Sequence, residues 1–316
     1  MTAPLTVIPV PGPGAEDVVV ATSGPDAGCV FTGTEDGAIF RISPDGAAVD
    51  RVAHTGGRPL GIEIAPDGRL LVCDAQRGLL WVDPATGSVE QITDRVAGTP
   101  MRFCNNAAIG SDGTIWWSDS STRYGIDQWK DDFVQHTRTG RLLRRDPDGT
   151  VTTVLDGLAF ANGVALSAAE DYVCVAETGA RTVVRHWLSG PDAGTRDLLC
   201  SDLPGYPDNI ARGSDGLIWI SIASPTDPLV ERLHTAPLGL RKLITKVPEA
   251  LQPKPKQTVR AVAYDDQGRL VRDVDLRPAD HGTAYHMVTG VREHEGTLWL
   301  GSLHEAAVAR VDLSRV

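Results

Sequence analysis

The chain has 316 residues, 41% of them hydrophobic, with a formal charge of −11 and a pI near 5.2. That length supports a large core, and the acidic balance disfavours nucleic-acid backbones and anionic membranes as partners, because like charges repel. There is no basic start followed by a long apolar run and no zinc-type CxxC spacing among Cys29, Cys73, Cys104, Cys174 and Cys200. A cytoplasmic protein without a signal peptide, its thiols free and buried, is expected.

Taken in chain order, the predicted elements are short strands. PLTVIPV (4–10) is followed by EDVVVA from Glu16 and VFTG (30–33). Pro66-Asp67-Gly68 leads into RLLVCD (69–74), Ser111-Asp112-Gly113 into TIWWSD (114–119), and Ala169-Glu170-Asp171 into YVCVAE (172–177). Ser214-Asp215-Gly216 precedes LIWISI (217–222), and His294-Glu295-Gly296 precedes TLWLGS (297–302). Runs of Val, Ile, Leu and Trp around Asp-Gly turns are β-hairpin signals. Helical periodicity is scarce, which disfavours a parallel α/β sheet.

The six copies recur at a spacing of forty-odd residues where no insertion intervenes, enough for four short strands. That period predicts an all-β, six-bladed β-propeller with four-stranded blades, a single domain over 1–316. The last copy has room for about three strands before the chain ends, so the N-terminal run is expected to close that blade as its fourth strand and cover the open edge. Longer insertions at 120–138 and 223–257 read as cap-like loops, the second with short helices between Leu229 and Leu251.

Aligning the copies by their turns superposes Leu60, Asn105, Asn162, Asp208 and Val288, each seven residues before the turn position, and Glu16 begins the corresponding run of blade 1. Inner strands line the propeller channel, so equivalent residues meet near the axis at one mouth. Glu16, Asn105, Asn162 and Asp208 would then bring two carboxylates and two amides together. Such oxygen donors suit Ca²⁺ and, less readily, Mg²⁺; Asn209 and Asn106 are neighbouring amide candidates. Loops after the second strands overhang this mouth and carry Tyr124, Trp129, His136, His234 and His304 as candidate substrate contacts.

The segments GRPLGI (57–62), TGRLLRRDP (139–147), VLDGLAFANGVALS (154–167), LPGYPDNI (203–210) and REHEGTLWLGSLH (292–304) resemble the strictosidine synthase-like family. That family is allied to gluconolactonases, paraoxonases and other calcium-dependent six-bladed propeller hydrolases. The resemblance implies a catalytic calcium held by Glu16, Asn105, Asn162 and Asp208, with Asn209 as a further ligand. Two positions depart from the relatives. Thr289 stands where strictosidine synthase has its catalytic glutamate, and Leu60 where paraoxonases have a histidine.

The expected activity is calcium-dependent hydrolysis of a lactone or carboxylic ester, a small-molecule substrate, with Asp208 or Glu16 as base or nucleophile. The alternatives are a non-hydrolytic cyclase, isomerase or condensing enzyme on the same scaffold, and a binding propeller without chemistry.

Overall fold

Each turn expected from the sequence closes a hairpin between an inner strand and the run that follows it. In a computed structural model that describes residues 5–247, 256–276 and 283–316, six four-stranded antiparallel sheets surround one axis as a six-bladed β-propeller. The inner strands are Val18–Val20, Pro59–Ile64, Cys104–Ile109, Ala161–Leu166, Gly205–Arg212 and Val288–His294. Each touches the inner strands of both neighbouring blades, and the last touches the first. Leu5–Pro9 pairs antiparallel with Ala307–Asp312, so the N-terminal strand completes blade 6 and ties the two ends of the chain together.

Alternation along the strands buries apolar side chains between blades. Trp117 packs with Leu71 and Leu79 between blades 2 and 3, and Trp219 packs with Val291 and Leu298 between blades 5 and 6. All five cysteines are free, and four of them are buried. Among the described residues no helix is long and apolar enough to cross a membrane.

One irregularity recurs and positions everything at the axis. In blades 2 to 6 the inner strand carries one extra residue relative to its partner, between Pro59 and Ile62, Cys104 and Ala107, Ala161 and Val164, Pro207 and Ile210, and Val288 and Val291. Such a bulge re-aims side chains that regular pleating would send to opposite faces. The second bulge residue is glycine in blades 2, 4 and 6. A Cβ on Gly61 would lie 2.6 Å from Asn106 Cα, one on Gly163 2.1 Å from Ile210 N, and one on Gly290 2.7 Å from Asp17 Cα. The intervening blades supply polar residues instead, Asp17, Asn106 and Asn209, all buried.

Acids ending the second strands hold the chain as it enters several inner strands. Asp74 Oδ1 accepts from Arg58 N at 3.0 Å, Asp119 Oδ1 from Phe103 N at 3.0 Å, and Glu177 Oε1 from Ala159 N at 2.8 Å. The two insertions fold as helices on the same face. The first holds α1 (Trp129–Gln135); the second holds α2 (Pro228–His234), capped by Asp227 Oδ1 on Leu229 N at 2.8 Å, and α3 (Leu238–Ile244). The expected helical stretch extended to Leu251, which lies outside the described residues.

The close approach at the axis is testable. Gly163→Ala is expected to lower unfolding stability by about 3 kcal/mol or to prevent folding, because the new methyl meets the Asn209–Ile210 backbone of the next blade. Gly239→Ala, in open space on α3, should stay within about 1 kcal/mol of the parent and tend to stabilise. Urea unfolding midpoints compare the two, and equal midpoints would sink the account.

Candidate active site

The first residue of each bulge turns into one cavity of about 420 Å³ at the mouth beneath the helices. Leu60, Asn105, Asn162, Asp208 and Thr289 line it, joined by Glu16 from blade 1. The structure thus brings Glu16, Asn105, Asn162 and Asp208 to one end of the channel, as the turn alignment expected. In blade 6 it corrects that alignment. Val288 packs in the core, and Thr289 is the axial residue. The hairpin there closes directly from His294 to Thr297, whereas blade 2 has three residues between Ala65 and Arg69, so counting back from the turn is off by one.

Local hydrogen bonds fix how the amides face. Asn105 Nδ2 donates to Ser120 Oγ at 2.9 Å, and Asn162 Nδ2 donates to Thr178 Oγ1 at 3.2 Å. Both hydroxyls lie just past the second strand of the same blade. With the nitrogens so engaged, the Oδ1 atoms of Asn105 and Asn162 are buried without a partner. Asn209 lies beneath, its Nδ2 donating to the two Glu16 carboxylate oxygens at 3.4 and 3.3 Å, and its Oδ1 is also unpartnered. Asn106 differs, because its Oδ1 accepts from Val164 N at 2.8 Å and is occupied in joining blades.

Asp17 is a buried channel residue next to the site that the sequence reading missed. Its Oδ2 accepts from Ile62 N and Asn106 Nδ2, each at 3.1 Å, so one carboxylate links three blades. Its signal was available: Asp17, Asn106 and Asn209 share one phase, with Gly61, Gly163 and Gly290 alternating between them.

The electrostatics are those of crowded acids in a dry site. Burial, then the charges of Asp208 and Asp17, push the Glu16 carboxyl well above the usual range. Burial raises Asp208 to about 7, against the hydrogen bond from Asn162, and raises Asp17 to about 7 despite the nearby Arg292 guanidinium. Arg292 itself pairs with Glu63 farther along the channel. Buried unpaired carboxylates are costly, and a cation among them removes that cost. Among the described residues no cluster of three or more His, Cys, Asp or Glu is arranged to chelate an ion. A cation here therefore draws on amide oxygens as well, and two carboxylates with unpartnered amide oxygens form a hard donor set that fits Ca²⁺ or Mg²⁺ better than zinc.

Helices α1, α2 and α3 roof the cavity. Asp132 in α1 accepts from Ser121 Oγ at 2.5 Å and Thr137 Oγ1 at 2.6 Å, and Gln135 Nε2 donates to Thr245 Oγ1 after α3 at 3.2 Å. Trp129 lines the cavity, whereas Tyr124, His136, His234 and His304 are not among its walls. The Tyr124 hydroxyl donates to Gln135 at 2.9 Å. His136 and His234 stack at 4.4 Å and join α1 to α2, with burial foremost holding His136 down at about 4, so it is neutral. His304 stands edge-on to His286 at 6.0 Å. In the roof and rim these four side chains contact other protein groups and are not part of the cavity wall.

A family model described as strictosidine synthase matches residues 105–191, which include Asn105 and Asn162. The adipocyte plasma membrane-associated protein of Salmo salar is 31% identical over 312 residues, covering 91% of this chain and 74% of its own length. Protein strictosidine synthase-like 10 of Arabidopsis thaliana is 33% identical, covering 79% of this chain and 68% of its own. Among solved structures, a gluconolactonase from Xanthomonas campestris superposes with a TM-score of 0.70 at 16% identity, over 98% of this chain and 89% of that one, a likeness of fold. The axial arrangement and the extent of these matches together place the chain: it belongs to the strictosidine synthase-like family of six-bladed β-propellers.

Proposed function

We propose that the chain is a calcium-dependent hydrolase of a lactone or carboxylic ester. The observation that carries this reading is the pair of buried, unpartnered amide oxygens of Asn105 and Asn162, facing the same cavity end as Glu16 and Asp208. Those four residues would hold the ion, with Asn209 Oδ1 as a further oxygen. When bound, calcium polarises the substrate oxygen and stabilises the negative charge that develops on it during attack by water.

The remaining chemistry belongs to side chains. Glu16 is buried and tethered through both oxygens by Asn209, so it is the anchored carboxylate. Asp208 is less deeply buried than Glu16 and lines the cavity. Asp208 is therefore assigned as the group that takes a proton from the attacking water, or as nucleophile. The apolar walls around Leu60, Phe103 and Phe160 position the substrate carbon skeleton, while the helical roof limits access of bulk water.

Exhaustive chelation should abolish hydrolysis and calcium should restore it; turnover undiminished by chelation would refute the reading. Asp208→Asn is expected to reduce kcat by about 100-fold or more in a protein that still folds, checked by steady-state kinetics beside circular dichroism.

Ser120→Ala and Thr178→Val release the amide nitrogens of Asn105 and Asn162. Each should weaken calcium binding about tenfold in calorimetry while leaving the fold intact. Unchanged affinity in both would show that these hydroxyls do not orient the ring.

Protons and calcium compete for the raised carboxylates. The rise in melting temperature produced by calcium should therefore be larger at about pH 8, above the value of about 7 to which Asp208 is raised, than at about pH 5, where Asp208 holds its proton. Histidine titration cancels in this comparison because it affects calcium-loaded and chelated protein alike. An equal or smaller shift at the higher pH would contradict the assignment.

A further inference from the structure

Two residues before the axial position, four of the six blades present a second layer to the same cavity. In blades 3 to 6 these residues are Phe103, Phe160, Tyr206 and Met287, all buried and all in its wall. Phe103 and Phe160 meet edge to face at 5.4 Å and pack with Leu60, the apolar member of the axial ring. Phe160 and Met287 also adopt left-handed backbone, at φ 63° and 55°. That conformation is costly for bulky residues and concentrates at functional sites.

The polar atoms that remain near this collar are largely engaged within the protein. The Tyr206 hydroxyl donates to Glu231 at 3.0 Å and accepts from Asp227 N at 3.1 Å, so it is tied to the start of α2 and leaves its ring to the cavity. Thr178 Oγ1 is held by Asn162, and Asp227 caps Leu229. Charged side chains from the roof, Lys130 and Asp131, belong to α1 and not to the collar.

We propose that this collar makes the site selective for lactones and esters with an apolar alkyl or aryl skeleton, and selective against polyhydroxylated lactones. The proposal rests on the hydrolase reading for the position of the reacting carbonyl. Apolar carbon gains by leaving water for this wall, whereas a hydroxyl pressed against it loses its water partners and finds no replacement.

The test compares δ-decalactone with glucono-δ-lactone on the calcium-loaded protein, two substrates sharing the same ring and reacting carbonyl. Calorimetry with the non-hydrolysable lactam analogue of δ-decalactone reads binding independently of turnover. The expected result is a kcat/KM preference for δ-decalactone of about 100-fold or more, together with saturable lactam binding. Phe160→Asn keeps a residue type that tolerates left-handed backbone and should reduce that preference by about tenfold.

Equal or better turnover of glucono-δ-lactone would overturn the collar proposal and leave the hydrolase reading standing. Lactam binding without hydrolysis of either lactone would overturn the hydrolase reading and support the collar as an apolar binding wall. Neither binding nor hydrolysis would overturn both.

Discussion

Six inner strands cannot all bring bulky residues to one axis, and this crowding governs the rest of the molecule. The chain resolves it with a bulge repeated in five blades, which turns two consecutive residues of each strand toward the channel instead of one. At the deeper of those positions, side chain and glycine alternate around the ring, so each of Asp17, Asn106 and Asn209 has a neighbour without a Cβ. At the shallower position there is room for six side chains, and those are the ones that meet the cavity. Functional layout here follows from steric necessity, because the same extra residue that relieves crowding also creates the ring.

The layers differ in what satisfies their polar groups. Deep in the channel, Asp17 and Asn106 accept backbone N–H groups from adjacent blades, and the Arg292 guanidinium contributes positive charge near Asp17. That layer is closed by the protein itself. One step toward the mouth, nitrogens and hydroxyls are paired but oxygens are left over, with two carboxylates beside them. A site with occupied donors and surplus acceptors favours a cation over an anion or a hydrogen-bond donor with its own bulk. The helical roof then keeps that charge imbalance out of bulk solvent, where screening would dilute it.

Much of this was legible in the sequence because turns are local. An Asp-Gly pair fixes a hairpin, a hairpin fixes register, and register fixes which residues share a phase; hence the blades, the closing strand and the convergence of Glu16, Asn105, Asn162 and Asp208. The reading slipped where the marker itself changed. A shorter turn in blade 6 displaced Thr289 to Val288, and the deeper layer to which Asp17 belongs leaves no residue-type signature in a single strand. It becomes visible only when glycines in alternate blades are compared. His136 and His234 were legible as residues on overhanging insertions but not as a stacked pair, since which way a loop side chain turns depends on contacts more than 90 residues apart.

Leu60 shows how the polar and apolar halves of the site depend on each other. As a departure from the paraoxonase pattern it removes a histidine; in the structure it also supplies the floor on which Phe103 and Phe160 pack. A polar residue there would have to find a partner among those rings, or draw water into the cluster. The axial ring is therefore lopsided by construction, with oxygen donors from blades 1, 3, 4 and 5 and an aliphatic side chain from blade 2. On the proposed reading, a carbonyl drawn to a cation held by the oxygen-lined side would rest its carbon skeleton against the apolar side. Orientation would then arise from that opposition, without a dedicated hydrogen bond to each end of the ligand.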